Sequence, residues 1–316
     1  MKELKKLDET RLIYYDIETA PLVKELVIDT PLFDSWAYKV RKKDDLTDVE
    51  VVASYSNQAG LYPEYAKIVS IAAGVVVDNK LYIKTYDNKD EGVLLKEFND
   101  FITKQTDKSR DYMLCGFANY GFDTPFCQKR MILNSIEPNQ IFSGWDRKPW
   151  IFDEVDLMNI WKGTSWNPPS LVSLAVALRI ESPKDDIGGA DVGRVYWSEG
   201  EKGLERISKY CRKDVATTFN IFKRLRFEDM LEVVVVKDAP EAVSVEEPLL
   251  TKLLNGGKFG KVEKDKLFKM LSTLPKDEQE KALVILTAAS SKAKGKVTKI
   301  TTAHIKELKL KLKDEK

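Results

Sequence analysis

Two acidic residues, Asp16 and Glu18, stand two positions apart between an apolar, β-favouring run at 11–15 and the proline at 21. On a strand, residues i and i+2 point to the same face and lie about 6 to 7 Å apart along the chain. Two carboxylates on one face suit a hard divalent cation such as Mg²⁺. A solvated strand end before a proline turn would give the same short pattern, so the pair alone does not decide.

A second acidic residue with an aromatic partner lies late in the sequence, where Tyr210 precedes Asp214 by four positions. That spacing places both side chains on one face of a helix. A further acid, Asp123, stands in the segment FDTPF at 122–126, just after a predicted strand. An aspartate there could simply cap a helix, and the Tyr210 pair could be ordinary helix surface.

The elements that would position these residues follow from apolar periodicity. Strands are predicted at 11–15, 67–77, 81–86, 112–118 and 150–158, with 67–77 and 81–86 forming a hairpin around the turn at 78–80. Helices are predicted at 91–106, 123–134, 170–178 and 204–227. A meander of strands followed by alternating strands and helices predicts an α/β fold with a mixed five-stranded sheet flanked by helices.

Charge and composition divide the chain further. We expect a main domain at 1–228 with a polar insertion at about 24–65, a linker at 229–245, and a small basic, mainly helical accessory domain at 246–316. Residues 256–316 hold sixteen lysines and eight acidic residues, a net of +8. Since the whole chain carries +1, the remainder is acidic, at −7. Such asymmetry is typical of a body with a basic tail that contacts nucleic acid or a partner protein, although lysine-rich helices are often only solvated surface.

Composition excludes several classes of protein. The chain has 316 residues, 43% of them hydrophobic and 32% charged, which is typical of a globular protein. With His304 as the single histidine, a multi-histidine metal cage is impossible. The three cysteines have no metal-ligand spacing and favour a reducing compartment. Neither a signal peptide nor a membrane span is indicated, so we expect a cytoplasmic protein of a bacterial or phage-infected cell.

The order of the motifs resembles the DEDD exonuclease superfamily. It is closer to the DEDDy branch, the 3′–5′ exonucleases related to the proofreading domain of family B DNA polymerases, in a stand-alone form. The matching segments are YYDIETAP at 14–21, GFANYGFDTP at 116–125 and YCRKD at 210–214, with further likeness in DLMNIW at 156–161, SL at 170–171 and KDDIGGADV at 184–192. The resemblance covers about 11–225. The sister branch has histidine five residues before the last aspartate, where this chain has Lys209, while the tyrosine branch has tyrosine four before it, as at Tyr210.

This resemblance implies a ribonuclease H-like (DnaQ-like) fold and two bound Mg²⁺ or Mn²⁺ ions. Asp16 would bridge both ions, Glu18 and Asp214 would hold one of them, and Asp123 would act mainly through water on the other. Tyr210 would orient the attacking water, because a phenol with a pKa near 10 is a poor base at neutral pH. The expected catalytic set is therefore Asp16, Glu18, Asp123, Tyr210 and Asp214.

Contacts to nucleic acid are expected from apolar or aromatic residues that hold unstacked bases and from lysines near the backbone. The candidates are Ile17, Thr19, Lys67, Phe117, Asn119, Tyr120, Phe122 and Lys184. Relatives commonly carry asparagine five residues before the middle aspartate, but this chain has Ala118 there and Asn119 one position later. A slightly different turn would have to present Asn119 to the substrate.

The expected activity is metal-dependent 3′–5′ hydrolysis of nucleic acid, with single-stranded DNA favoured and roles in DNA repair or replication. A 3′ exoribonuclease similar to ribonuclease D is the alternative within the enzyme class. From another class, the fold could serve as a catalytically silent module that binds nucleic acid or docks a partner protein. The retention of all four carboxylates and the tyrosine favours the enzyme.

Overall fold

The computed structural model describes residues 2–236 except 43, 107–111, 143–153 and 183–185. The chain divides into two compact units, Met1–Ala242 and Val243–Lys316, and all described residues belong to the first. The predicted accessory domain at 246–316 and most of the predicted linker at 229–245 therefore lie outside the described residues. The domain boundaries stay a prediction.

In the described part of the chain, six strands form one mixed sheet in the order β5-β4-β1-β2-β3-β6. β2 is antiparallel to both of its neighbours, β1 and β3, while the pairs β1–β4, β4–β5 and β3–β6 are parallel. The strands are β1 (Leu12–Pro21), β2 (Ala66–Val77), β3 (Lys80–Asp87), β4 (Met113–Gly116), β5 (Glu154–Asp156) and β6 (Glu232–Val236).

Helices cover both faces of this sheet. They are α1 (Lys2–Lys6), α2 (Pro31–Val40), α3 (Asp48–Gln58), α4 (Glu91–Thr106), α5 (Asp123–Leu133), α6 (Leu157–Lys162), α7 (Leu171–Ala177) and α8 (Val192–Arg226). α4 and α5 pack on one face through Phe98 and Phe126, against Tyr15 of β1. On the other face α8 places Phe219 and Phe222 edge-on against Tyr14. β1 is therefore apolar on both sides because both of its faces are buried.

The insertion at 24–65 folds into two helices with a core of their own. Thr30 caps the N-terminus of α2, and its hydroxyl accepts from the Phe33 N–H. Thr47 caps α3 in a capping box with Glu50. Trp36 is fully buried in this core and packs edge-on against Tyr55. The insertion leaves β1 at Pro21 and returns at β2, so it is anchored at the end of the central strand.

α8 bends at Gly200, whose φ of 62° and ψ of −129° interrupt the helix. Glycine adopts this left-handed region without the steric cost that a side chain brings. The segment before the bend packs Val192 and Val195 onto Ala20, near the end of β1. The longer segment after it runs across the sheet beneath β1, β2 and β3. None of the helices within the described ranges combines the length and apolar character needed to cross a membrane.

The α/β fold with a mixed sheet flanked by helices is confirmed, while two details of the prediction were wrong. The predicted five-stranded sheet gains a sixth strand, β6, because residues 232–236 of the predicted linker pair in parallel with β3. β1 continues beyond the two acidic residues to Pro21, so Asp16 and Glu18 lie within the strand, as their spacing predicted. α8 begins at Val192 rather than at 204, since the glycine bend joins two helical segments.

Candidate metal centre

Four carboxylates meet where β1 extends past the end of its parallel neighbour. β4 stops at Gly116, one residue after Cys115 pairs with Tyr14, whereas β1 continues through Asp16 and Glu18. The loop that leaves β4 leads to Asp123, the first residue of α5, and α8 supplies Asp214 from the facing helix. The structure thus brings together the four predicted acids, although Asp123 and Asp214 are distant from β1 in sequence.

Asp123 is held against β1 by the backbone. The N–H of Ile17 donates to Asp123 Oδ1 at 3.1 Å, so the carboxylate is tied to the strand segment between Asp16 and Glu18. The neighbouring Thr124 hydroxyl interacts with Tyr15 and donates to Glu154 Oε2 at 2.5 Å. These contacts fix the start of α5, and with it the direction of the Asp123 side chain.

Cys211 is an addition that the sequence analysis missed. Its thiol donates to the backbone oxygen of Asp16 at 3.3 Å and lies 3.6 Å from Asp16 Oδ2. Donor atoms of Asp16, Glu18 and Cys211 all lie within 4.8 Å of one another, a grouping that could hold a metal ion. Burial, followed by the negative charges of Asp16 and Glu18, raises the pKa of the Cys211 thiol, which therefore stays protonated.

Burial raises the pKa of all four carboxyl groups, and neighbouring charges of the cluster raise it further for Asp16 and Glu18. Burial, and then the charges of Asp123 and Asp214, hold the pKa of Asp16 well above its usual range, and burial with the same two charges does so for Glu18. Burial also raises the pKa of Asp123 and of Asp214 to about 7. Among the described residues, none of the four acids forms an ion pair with a lysine or arginine. The cluster therefore concentrates negative charge that protein cations leave unbalanced.

Tyr210 lies on the same face of α8 as Asp214, one turn earlier, and its hydroxyl faces that carboxylate. Burial comes first in raising the pKa of Tyr210 far above 10, and the charges of Asp214 and Glu18 raise it further. The phenol is therefore fully protonated near neutral pH. It can donate a hydrogen bond to a bound water, but it cannot serve as a base.

Asp156 shapes the loop that carries Asp123. Asp156 accepts from the backbone N–H of Ala118 at 3.1 Å and of Tyr120 at 3.3 Å. Ala118 has a φ of 68°, a left-handed conformation that is strained for a residue with a side chain. Asp156 stabilises this turn while also capping α6 through the N–H of Asn159. Its position at the end of β5 in an Asp-x-x-Asn pattern is the signal that could have found this role.

Two of the predicted nucleic-acid contacts do not fit their placement. Asn119 is fully buried, and its side-chain amide donates to Glu154 Oε2 at 2.8 Å. The left-handed turn at Ala118 directs the Asn119 side chain inwards rather than toward a substrate. The Ile17 side chain lies in the core beneath α4 and α5, and its N–H is occupied by Asp123. Their placement gives no support for direct side-chain contact, and the role of both residues in binding stays a prediction.

The other predicted contacts lie at or near the surface. Thr19 is half-buried and donates to the Gly60 oxygen of the insertion at 2.7 Å. Tyr120 is 42% exposed on the loop before Asp123, so it is open to a ligand. The remaining half-buried candidates are Lys67, which contacts Tyr196, Phe117, which packs on the core beside α8, and Phe122, which packs against Phe126. Lys184 lies outside the described residues.

The donor set fits hard divalent cations. Asp214 Oδ1 is buried without a hydrogen-bond partner, an uncommon state for a carboxylate oxygen. Three further carboxylates lie around it, and no lysine or arginine of the described ranges forms an ion pair with them. Oxygen-rich, anionic sites of this kind bind Mg²⁺ and Mn²⁺, while the protonated thiol of Cys211 supports Asp16 as a hydrogen-bond donor.

The fold and the acidic cluster together define a nuclease-like domain. Residues 58–226 match the model of the RNase_H superfamily, which covers just over half of the chain. The protein therefore belongs to the RNase H superfamily. The match includes Asp123, Tyr210 and Asp214 but begins after β1, so only the structure connects Asp16 and Glu18 to the family's fold. No curated protein matches the chain.

Proposed function

We propose that the protein is a metal-dependent 3′–5′ exonuclease that removes nucleotides from single-stranded DNA. The observation that carries the proposal is a group of three buried carboxylates and the half-buried Asp16, which have no counter-ion among the described residues and are joined on α8 by a protonated tyrosine. This arrangement lies on a fold of the RNase H superfamily, which supports hydrolysis of nucleic acid. The tyrosine branch of the DEDD exonucleases, which the motifs resemble, uses the same five residue types.

Asp16, Glu18, Asp123 and Asp214 would hold two divalent cations, which when bound lower the pKa of water and neutralise charge on the phosphate. The chain's own contribution is positioning. Ile17 holds Asp123 in place through its N–H, and Cys211 supports Asp16 through its thiol. Tyr210 donates a hydrogen bond that orients the attacking water, since its raised pKa excludes a role as base.

The site itself is anionic, so it needs attraction from elsewhere to bind a polyanion. The basic segment at 256–316, which lies outside the described residues, would supply it or would dock a partner protein. We place the protein in the cytoplasm, where DNA ends generated by repair or replication are available to it. Both statements extend the proposed activity and depend on it.

The test uses 5′-labelled single-stranded DNA and RNA of matched sequence, incubated with Mg²⁺ or Mn²⁺. We expect a ladder of shortened, 5′-labelled products on DNA that is absent with EDTA and with Asp214→Asn. A matched control, Asp100→Asn, changes an exposed acid of α4 and should leave the ladder intact. A ladder on RNA alone would replace DNA with RNA as the substrate. The absence of a ladder on both the DNA and the RNA would overturn the catalytic proposal in favour of a silent binding module.

A further inference from the structure

Lys67 lies on β2 opposite Ala20, two residues beyond Glu18 along β1, and is held by two aromatic side chains. Its Nζ donates to the Tyr196 hydroxyl at 2.7 Å and lies 4.5 Å from the centre of the Tyr196 ring. The same Nζ lies 5.0 Å from the centre of the Trp197 ring, which packs edge-on against Tyr196. A lysine over two aromatic faces has a fixed position that a free surface lysine lacks.

The register of the sheet places this group next to the proposed metal centre. Lys67 on β2 pairs with Ala20 on β1, two residues after Glu18. Ala20 packs under the first segment of α8, on the sheet face that also carries Glu18. The Lys67 ammonium thus lies beyond the carboxylates along the same strand, toward the end where β1 meets the insertion.

Backbone contacts fix the two aromatic residues in turn. The Trp197 indole N–H donates to the Pro21 oxygen at 3.1 Å. Gly193 lies so close to Pro21 that an added Cβ would come within 2.8 Å of the proline Cδ. The bend at Gly200 allows this segment to depart from the direction of the rest of α8. The cluster of Lys67, Tyr196 and Trp197 is therefore pre-organised.

The charge of Lys67 has no anionic partner in the described part of the chain. Its recorded partners there are a hydroxyl and two aromatic rings, all uncharged. An ammonium group has three N–H donors, of which Tyr196 takes one. Among the described residues, no ion pair joins Lys67 to any of the nearby carboxylates. The remaining donors are free to bind an external anion.

We infer that the cluster of Lys67, Tyr196 and Trp197 binds a backbone phosphate of the single-stranded nucleic acid, an inference that rests on the proposed function. A phosphate at this position would tie the strand beside the carboxylates, where an anionic site cannot attract it alone. The aromatic pair holds the ammonium in place, so little side-chain entropy is lost on binding. The sequence predicted that Lys67 contacts nucleic acid. The structure adds Tyr196 and Trp197, which hold the Lys67 ammonium in a fixed position for that contact.

The salt dependence of binding tests this role directly. The full chain is titrated into a short 5′-labelled oligothymidylate in Ca²⁺ at several KCl concentrations, and the dissociation constant is measured by fluorescence anisotropy. Lys67→Met should raise the dissociation constant about tenfold and reduce the slope of log K against log salt by about 0.7, the value for one phosphate contact on a single strand. Lys67→Arg keeps the charge and should keep the slope.

The matched control is Lys96→Met, which removes an exposed lysine of α4 on the opposite face of the sheet and should leave both values unchanged. If Lys67→Met does not fold, Tyr196→Phe replaces it and should raise the dissociation constant about threefold by releasing Nζ. If Lys67→Met binds with the wild-type dissociation constant and slope, the phosphate inference is wrong while the proposed function stands. The same holds if Tyr196→Phe has the wild-type dissociation constant. No binding and no cleavage by the wild-type protein would instead contradict the proposed function.

Discussion

Glu91 and Asp214 are equally buried acids, each 8% exposed, yet their surroundings are opposite. Glu91 accepts from the Ile68 N–H at 2.7 Å, from Arg130 through two nitrogens, and from Asn134 at 3.1 Å. Asp214 has a buried oxygen with no partner and three other carboxylates nearby. Burying a charge is costly unless it is paired, so the paired acid is structural and the unpaired group indicates a site that binds cations.

Breaking the paired region should have the largest effect on stability. Arg130→Met leaves Glu91 buried without its ion-pair partner and also removes the contact of Arg130 with the Pro63 oxygen. We expect the free energy of unfolding to fall by about 3 to 5 kcal/mol, measured by urea denaturation. The double variant Glu91→Gln with Arg130→Met should recover part of this loss. A change below about 1 kcal/mol in the single variant would show that the pair is not structural.

Removing the charge of Asp214, which belongs to the unpaired group, should raise the free energy of unfolding rather than lower it. In the metal-free protein the folded pKa of Asp214 is about 7, above the ordinary value of 3.8, so the folded state holds its proton more tightly. This contribution is present at low pH and is lost as pH rises from about 4 through about 7. At pH 8 we expect Asp214→Asn to be more stable than wild type in EDTA, by on the order of 2 kcal/mol.

The pH profile provides the control for this prediction. Below about pH 4 wild type and Asp214→Asn should differ little, because the carboxyl is protonated in both folded and unfolded wild-type chains. Thermal melts in EDTA across about pH 3 to 8 follow the difference. If the variant is less stable than wild type at pH 8 and the difference does not change with pH, burial does not raise the pKa of the Asp214 carboxyl group.

Tyr210→Phe should have the smallest effect, since it removes one hydroxyl and leaves the carboxylates in place. We expect the rate of cleavage to fall about tenfold through loss of the group that orients water, while Mn²⁺ affinity stays unchanged. Single-turnover rates and calorimetry separate the two quantities. An equal loss of metal affinity would place Tyr210 among the groups that hold the cations.

The carboxylates were predictable from sequence because three patterns, each weak alone, follow one another in the order seen in the DEDD exonucleases. Asp16 and Glu18 alternate on a strand, and Tyr210 and Asp214 lie one helical turn apart. Cys211 was missed since cysteine spacing alone gave no signal, although it lies three residues before Asp214 and so shares its helix face. The direction of the Asn119 side chain was not predictable because it depends on the left-handed turn at Ala118.

Long-range pairing explains the errors in the fold. Residues 232–236 are a valine-rich run that reads equally well as a linker, and only parallel pairing with β3, far away in sequence, makes them a strand. The two helices of the insertion did carry local signals, the Thr30–Pro31 start and the Thr47–Glu50 capping box. Gly200 obscured the length of α8 because a glycine inside a helical pattern usually marks an end.

Calorimetric titration with Mn²⁺ tests the central claim most directly, namely that the unpaired carboxylates form a metal centre. We predict that wild type binds Mn²⁺ and that Asp16→Asn weakens the binding at least about a hundredfold, while Asp100→Asn, an exposed acid of α4, has no effect. Equal Mn²⁺ affinity in wild type and Asp16→Asn, with both proteins folded, would contradict the account.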